Sequence, residues 1–321
     1  MAKVGVVVIG RNEGERLVRC LSSVVGRGFP VVYVDSGSKD GSPARARDLG
    51  AQVIELDKRL PFTAARGRNE GAAQLHTDYL QFLDGDTEVF PGWIERACSE
   101  LDGDASVAAV CGRRRERFPE QSLYNLLCDI EWNTPVGETN VFGGDVMIRT
   151  ADFQAAGGYD ATLIAGEDPD LAVRLKKHGR RILRVDAEMT WHDAALTTFS
   201  QWWTRAVRGG HAFAEGAIRH GDQGFWVKEV RSNWAWGAAL PALGASMFLP
   251  TLGTSAVVVA GGYGTLFAKV HRDALRRGLP AREARVYAAF ATLAKVPQAV
   301  GQAKYWWGRV RGKRTTLIEY K

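Results

Sequence analysis

Asp84, Gly85 and Asp86 follow the apolar run Tyr79–Leu83, so two carboxylates one residue apart stand at the end of a strand. Hard carboxylate oxygens in that arrangement suit Mg2+ or Mn2+, which bind through one or two carboxylates together with substrate phosphates. An ion held there would stabilise the charge that builds on a departing diphosphate. The bare pattern also fits a solvated turn, and its place after a buried strand is what singles it out. Asp35 closes another apolar run in VVYVDSGSKDGS. A lone carboxylate at a strand end can accept a base N–H or a ribose hydroxyl, while Ser38 or Asp40 can cap the helix that follows. Glu167 and Asp168 precede an amphipathic stretch with Leu171, Val173 and Leu175. They suit a helix N-terminus, with Asp168 as cap and Pro169 at the first helical position. Asp168 also has the chemistry of a general base toward an acceptor hydroxyl. His192 follows the apolar runs Ile182–Val185 and Ala187–Trp191. A single histidine is more often structural, but beside a carboxylate-bound metal it offers a third ligand.

These residues need a frame that brings strand ends together, and the first half of the chain supplies one. Val4–Ile9, Val31–Val34, Gln52–Leu56 and Tyr79–Leu83 read as strands, and Glu13–Val25, Lys39–Leu49 and Phe62–Leu75 as helices between them. Strict alternation predicts an α/β fold with a parallel sheet and helices on both faces. Ligands on such sheets sit outside the carboxyl ends of the strands. Farther on, Ala105–Cys111 and Val146–Ile148 read as strands, and Gln121–Glu131, Asp170–His178 and Phe199–Ala217 as helices.

Charge divides the chain unevenly. Residues 231–321 hold 14 Lys or Arg against 3 Asp or Glu, and residues 1–230 hold 28 against 33. Such an imbalance points the tail toward an anionic surface. Residues 232–268 carry no charged side chain, and Pro250–Gly253 cuts that run into two halves, each barely long enough to span a bilayer. Basic residues at both ends predict a hydrophobic hairpin entering and leaving from the cytoplasmic face of the inner membrane, with a buried helical hairpin as the alternative. Arg282–Arg314, with Tyr305, Trp306 and Trp307 among basic residues, reads as an interfacial amphipathic helix. The cysteines, Cys20, Cys98, Cys111 and Cys128, have no C-x-x-C spacing and read as reduced thiols. No single-strand or other nucleic-acid module is recognisable.

Asp35, Asp84-Gly85-Asp86, Glu167-Asp168 and His192, in that order, together with VVVIGRNEGERLVRCLSSV, FTAARGRNEGAAQLHTDYLQFLDGD and VFGGDVMIRTADFQAAGGYD, resemble glycosyltransferase family 2, whose members invert and have the GT-A fold. The likeness covers about residues 3–215. It implies a Rossmann-like, mostly parallel sheet, and a catalytic domain over 1–225 with a helical, membrane-associated region over 226–321. It further implies that Asp35 contacts the nucleotide base with Asn12 or Glu13 nearby, and that Asp84, beside Gly85, lies against the ribose. Asp86 and His192 would hold Mn2+ or Mg2+. Arg66 and Asn69 would line the donor pocket, Gly143, Gly144 and Asp145 would sit by the transferred sugar, and Asp168, next to Glu167, would be the base. Gln201, Trp202 and Arg205 would meet acceptor or diphosphate, although they depart from the Q-x-x-R-W pattern of processive members, so processive synthesis is not expected. The donor implied by default is a UDP-sugar, and the tail suggests a lipid or lipid-linked acceptor. The competing readings are a sugar-phosphate nucleotidyltransferase of similar fold, for which IGRNEGER is poor in glycine, and a non-catalytic membrane scaffold.

Overall fold

The computed structural model describes residues 3–312, which form two compact units: 3–117 with 131–194, and 118–130 with 195–312. The first is a mixed α/β unit. Along the chain come β1 Val4–Gly10, α1 Glu15–Ser22, β2 Val31–Asp35, α2 Ser42–Asp48, β3 Gln52–Glu55, α3 Ala64–Ala72, β4 Tyr79–Asp84, β5 Thr87–Val89, α4 Trp93–Gly103 and β6 Val107–Glu116. After α5, Leu123–Trp132, most of which belongs to the second unit, come β7 Gly137–Glu138, β8 Val146–Arg149, α6 Thr150–Ala155, α7 Glu167–Lys177 and β9 Arg181–His192.

The nine strands make one sheet in the order β3-β2-β1-β4-β8-β6-β9-β5, with β7 also paired to β9. The first four are parallel, as the alternation predicts. β1, β2 and β4 are continuous apolar runs because neither face of them meets water: Val7, Val32, Val34, Phe82 and Leu83 are all fully buried. Each such side chain contributes roughly 1.5–3 kcal/mol relative to exposure. The mostly parallel sheet holds only for this half. β8 lies antiparallel to both β4 and β6, β6 and β9 are parallel, and β5 and β7 are antiparallel to β9. β4 turns directly into the short β5 with no crossover helix between them, so β5 runs back against the direction of β4.

Register decides which residues share an edge. Gly10 of β1 pairs with Asp35 and Ile9 with Asp84, so both aspartates stand at the carboxyl edge of the parallel strands. Phe82 pairs with Val146 across an antiparallel ladder, which brings Asp145, just before β8, to the same edge. Thr87 pairs with His192, placing the histidine one position from Asp86.

The second unit is helical: most of α5, then α8 Phe199–His220, α9 Val227–Trp234, α10 Leu240–Ser246, α11 Thr254–Arg276, α12 Ala281–Leu293 and α13 Lys295–Val310. A single-turn π segment, Ala235–Ala239, joins α9 to α10. α8 opens in a capping box, in which Thr198 and Gln201 each satisfy the other's backbone N–H. The expected domain boundary near residue 225 falls inside this unit, which begins its main run at Ala195.

The expectation of a membrane hairpin, and with it of a chain anchored on the cytoplasmic face of a membrane, is overturned. Among the described residues no helix is long and apolar enough to cross a membrane. The uncharged run 232–268 is split three ways: α9 ends within it, α10 is only 7 residues long, and α11 begins at Thr254. α11 is 23 residues long, but Gly261, Gly262, Tyr263, Gly264 and Thr265 dilute its apolar stretch, and charge starts at Lys269. The basic segment expected to lie at an interface is two helices, and α13 buries Pro297, Ala299, Gly301 and Gln302. Lys313 and Arg314 lie outside the described residues.

Candidate active site

The edge marked by β1, β2 and β4 carries a cluster of acids built around two arginines. Arg68 comes from α3, whose first turn is fixed by Thr63 accepting from the Arg66 backbone N–H at 3.1 Å. Ala65, Arg68 and Ala72 lie at helical spacing on the inward stripe, and Arg68 is 2% exposed. Its Nη2 donates to Asp84 Oδ1 at 2.9 Å and its Nη1 to Glu167 Oε1 at 2.9 Å, with Asp168 Oδ1 at 3.3 Å. Arg114, from β6, sets its Nε 3.0 Å from Asp145 Oδ2 and its Nη2 3.5 Å from Asp84 Oδ2. Asp84 is therefore held between two guanidinium groups. Buried charge is tolerable only when paired in this way.

Asp84, Asp86 and His192 each place one ligand atom within 4.8 Å of the others. Asp86 and His192 are buried, and His192 Nε2 stands 3.4 Å from Asp86 Oδ1. Two carboxylates and an imidazole form a donor set suited to Mn2+ or Mg2+, so the residues present fit a divalent ion. Asp84 joins this set as well as the arginine cluster, in keeping with the paired-carboxylate pattern, whereas the family resemblance implies a ribose contact for it. Over the histidine lies Trp132, its ring centroid 4.5 Å from that of His192 and 5.3 Å from Arg114 Cζ.

Glu167 and Asp168 open α7, behind a left-handed Gly166 (φ 86°) that takes the N-cap position. The cap expected at Asp168 is thus at Gly166, which frees Asp168 to face Arg68. Burial pushes the Asp168 carboxyl up to about 7, with Arg68 pulling against it and the neighbouring Glu167 and Asp84 adding to the rise. Asp145 is also raised, by burial first, against the pull of Arg114. It is 1% exposed and accepts from Thr190 Oγ1 at 2.7 Å and from the Asp84 N–H at 3.1 Å, so it braces the edge. Gly144 explains itself sterically: a Cβ there would lie 2.5 Å from both Arg68 Nη2 and Asp84 Oδ2. Gly143 lies alongside Arg114, where a Cβ would meet its guanidinium at 3.8 Å, and a Cβ at Gly85 would meet Ile9 O at 3.0 Å.

Asp35 begins the neighbouring loop. It is 1% exposed, with Oδ1 accepting from Tyr33 OH at 2.8 Å and Oδ2 from the N–H groups of Gly37 (2.9 Å) and Ser38 (2.8 Å). Asn12 staples this loop to the one after β1, donating its N–H to Ser38 Oγ and accepting from Lys39 N–H through Oδ1. Glu13 pairs with Arg16 at 2.7 Å.

The other residues expected at the site make contacts of their own. Arg66 donates to the carbonyls of Asp57 (3.0 Å) and Leu60 (3.2 Å). Asn69 spends both ends of its amide on the Tyr159 backbone, at 2.7 and 2.9 Å. Gln201, Trp202 and Arg205 belong to the helical unit. There Gln201 closes the α8 cap, Trp202 is 3% exposed with its ring centroid 5.1 Å from that of Phe290, and Arg205 is partly buried. The sequence reading missed Arg68, Arg114 and Trp132. The inward spacing of Ala65, Arg68 and Ala72 is the signal that separates Arg68 from Arg66. For Arg114 the signal is strand alternation continued past Cys111, since β6 runs on to Glu116.

Two family profiles match the chain: "Glycosyl transferase family 2" over residues 5–152 and "N-terminal domain of galactosyltransferase" over residues 128–194. A pre-mycofactocin glycosyltransferase of Mycobacterium tuberculosis (strain ATCC 25618 / H37Rv) is 29% identical over 234 residues, covering 68% of this chain and 48% of the relative. The succinoglycan biosynthesis protein ExoU of Rhizobium meliloti (strain 1021) is 30% identical over 203 residues, covering 56% of this chain and 58% of the relative. The chain spans about half the length of these curated relatives. A solved structure, the mannosyltransferase PcManGT from Pyrobaculum calidifontis in complex with GDP-Man and Mn2+, superposes with a TM-score of 0.64 at 20% identity, covering 96% of this chain and 88% of that one. At that identity the likeness speaks for the fold, and the mixed sheet is consistent with GT-A.

Proposed function

We infer that this chain, a member of glycosyltransferase family 2, transfers a sugar from a nucleoside-diphosphate donor to a carbohydrate hydroxyl, with inversion at the anomeric carbon. The observation that carries this reading is the gathering, on one sheet edge, of Asp84, Asp86 and His192 with Glu167 and Asp168 through the shared Arg68. In the reaction Asp168 accepts the proton of the acceptor hydroxyl. The hydroxyl oxygen bonds to the anomeric carbon as the bond from that carbon to the diphosphate oxygen breaks, and the nucleoside diphosphate leaves on the opposite face. A largely buried carboxylate titrating at about 7 is well placed to accept a proton near neutral pH. Asp86 and His192, with Asp84 in reach, would hold the divalent ion, whose chemistry when bound is to neutralise charge on the leaving diphosphate. Asp35 would face the nucleoside. GDP-mannose, from the neighbouring structure, joins UDP-sugars as a donor to test. Without a membrane-spanning hairpin among the described residues, nothing ties the acceptor to a lipid.

The test is product analysis. Purified protein with Mn2+, a panel of UDP- and GDP-sugars and simple saccharide acceptors should release nucleoside diphosphate, and Asp168→Asn should lower that release about 10²–10⁴-fold while nucleotide still binds. Release of pyrophosphate instead would identify a nucleotidyltransferase. Unchanged turnover in Asp168→Asn would remove the base assignment.

A further inference from the structure

Trp132 has a placement that packing alone does not account for. It closes α5 and is partly exposed, while the residues that follow it, 133–138, are all exposed. Its indole lies against His192, with a ring-centroid separation of 4.5 Å and an interplanar angle of 55°, and it covers the guanidinium of Arg114 at 5.3 Å. Arg114 in turn reaches Asp84, and Gly143 lies alongside it. The indole therefore walls the Asp84–Asp86–His192 cluster and is held in place by two side chains that are themselves anchored.

We propose that Trp132 is the platform on which the transferred sugar of the donor lies, and so a specificity-determining contact. The inference rests on the reading of this edge as the donor site. An aromatic face carries partial negative charge, so it repels phosphate oxygens and favours the C–H-bearing face of a pyranose. A divalent ion held by the acid–histidine cluster would draw the diphosphate there, so the sugar bonded to it has to lie within about one ring's width, and Trp132 offers a flat apolar surface bordering that cluster. Asp168 stands beyond Asp84 and Arg68, which leaves its side to the acceptor. The stack on Arg114 fixes the indole before the donor arrives, so little ordering cost falls on binding.

Calorimetry on the full chain in Mg2+ separates the possibilities, with GDP-mannose, UDP-glucose, GDP and UDP as the probes. Trp132→Leu, which keeps an apolar side chain without a flat face, should weaken the sugar nucleotide that binds wild type by about tenfold and its parent diphosphate by less than about twofold. Trp132→Phe should restore most of the loss, and Trp132→Ala should match leucine if it keeps the wild-type circular dichroism spectrum. Equal losses for sugar nucleotide and diphosphate would mean that Trp132 acts only through His192, and would overturn the proposal. An unchanged sugar-nucleotide affinity in Trp132→Leu would overturn it too. If wild type binds none of the four probes, the donor-site reading itself fails and the platform falls with it.

Discussion

Replacing Arg68 by glutamine removes the cation whose Nη1 stands 3.3 Å from Asp168 Oδ1 and keeps a polar side chain of similar reach. Two unit charges at that separation attract by about 5 kcal/mol at an effective dielectric near 20 and by about 1 kcal/mol in bulk water. Those limits correspond to roughly one to four pK units. Asp168 already titrates at about 7 because burial outweighs the arginine. Its loss, which also takes the Arg68 contact from Glu167 and leaves Asp84 to Arg114, should raise the carboxyl by at least about one further unit. Only the ionised carboxylate can take the acceptor proton, so turnover is lost as pH falls through the carboxyl's pKa. At pH 7 the ionised fraction drops from about one-half to about one-eleventh for a one-unit rise, a roughly fivefold loss. By pH 9 the same variant should recover to nearly its own plateau. The assay is kcat against pH from 5.5 to 9.5 under saturating donor. A defect of equal size at every pH, or an acidic limb that stays in place, would refute the electrostatic link between Arg68 and the base. Arg68→Lys should fall between, because an ammonium cannot bridge Asp84 and Glu167 with two parallel donors.

Asp168→Asn should stabilise the fold while abolishing transfer. A carboxyl raised from 3.8 to about 7 on folding binds its proton more tightly in the native state, so stability declines as pH rises between those values. Thermal melts should therefore show the variant gaining on wild type at pH 8 and little difference at pH 4, and the same offset at both pH values would contradict the assignment. Asp86→Ala or His192→Ala should weaken Mn2+-dependent nucleotide binding by about tenfold or more, measured by titration with and without the ion, and equal binding without metal would remove these two residues from the ion site. Gly144→Ala drives a methyl into Arg68 and Asp84, so it should cost about 1–3 kcal/mol in denaturant melts and depress turnover, and a variant of wild-type stability and rate would show that the cleft relaxes freely.

The parallel half of the sheet was legible because its strands are continuous apolar runs separated by amphipathic helices, a pattern that survives without tertiary information. In the second half Ala105–Cys111 and Val146–Ile148 are legible as strands but their direction is not, because it is fixed by partners far away in the chain. Among the candidate site residues, Asp35, Asp86 and His192 are legible by following apolar runs, and Asp168 by opening an amphipathic helix. Arg68 and Arg114 are not, since an inward arginine on a helix or strand looks like a solvated one until its acidic partners are in place. The uncharged stretch 232–268 misleads for a related reason: its break before Thr254 is legible at Pro250–Gly253, but absence of charge does not make either half a spanning helix, since the first half holds the end of α9, a π segment and the short α10, and glycines dilute α11.

Helix α3 begins at a fixed cap, and only its fifth residue meets the acids. Each residue advances the helix by about 100°, so deleting any one position between Ala64 and Gly67 would swing the guanidinium aside and put the amide of Asn69 in its place. This short segment should accept changes of side chain at its outward positions but no change of length. Among natural variants and engineered libraries alike, insertions and deletions should therefore be absent between Thr63 and Arg68 wherever turnover is retained.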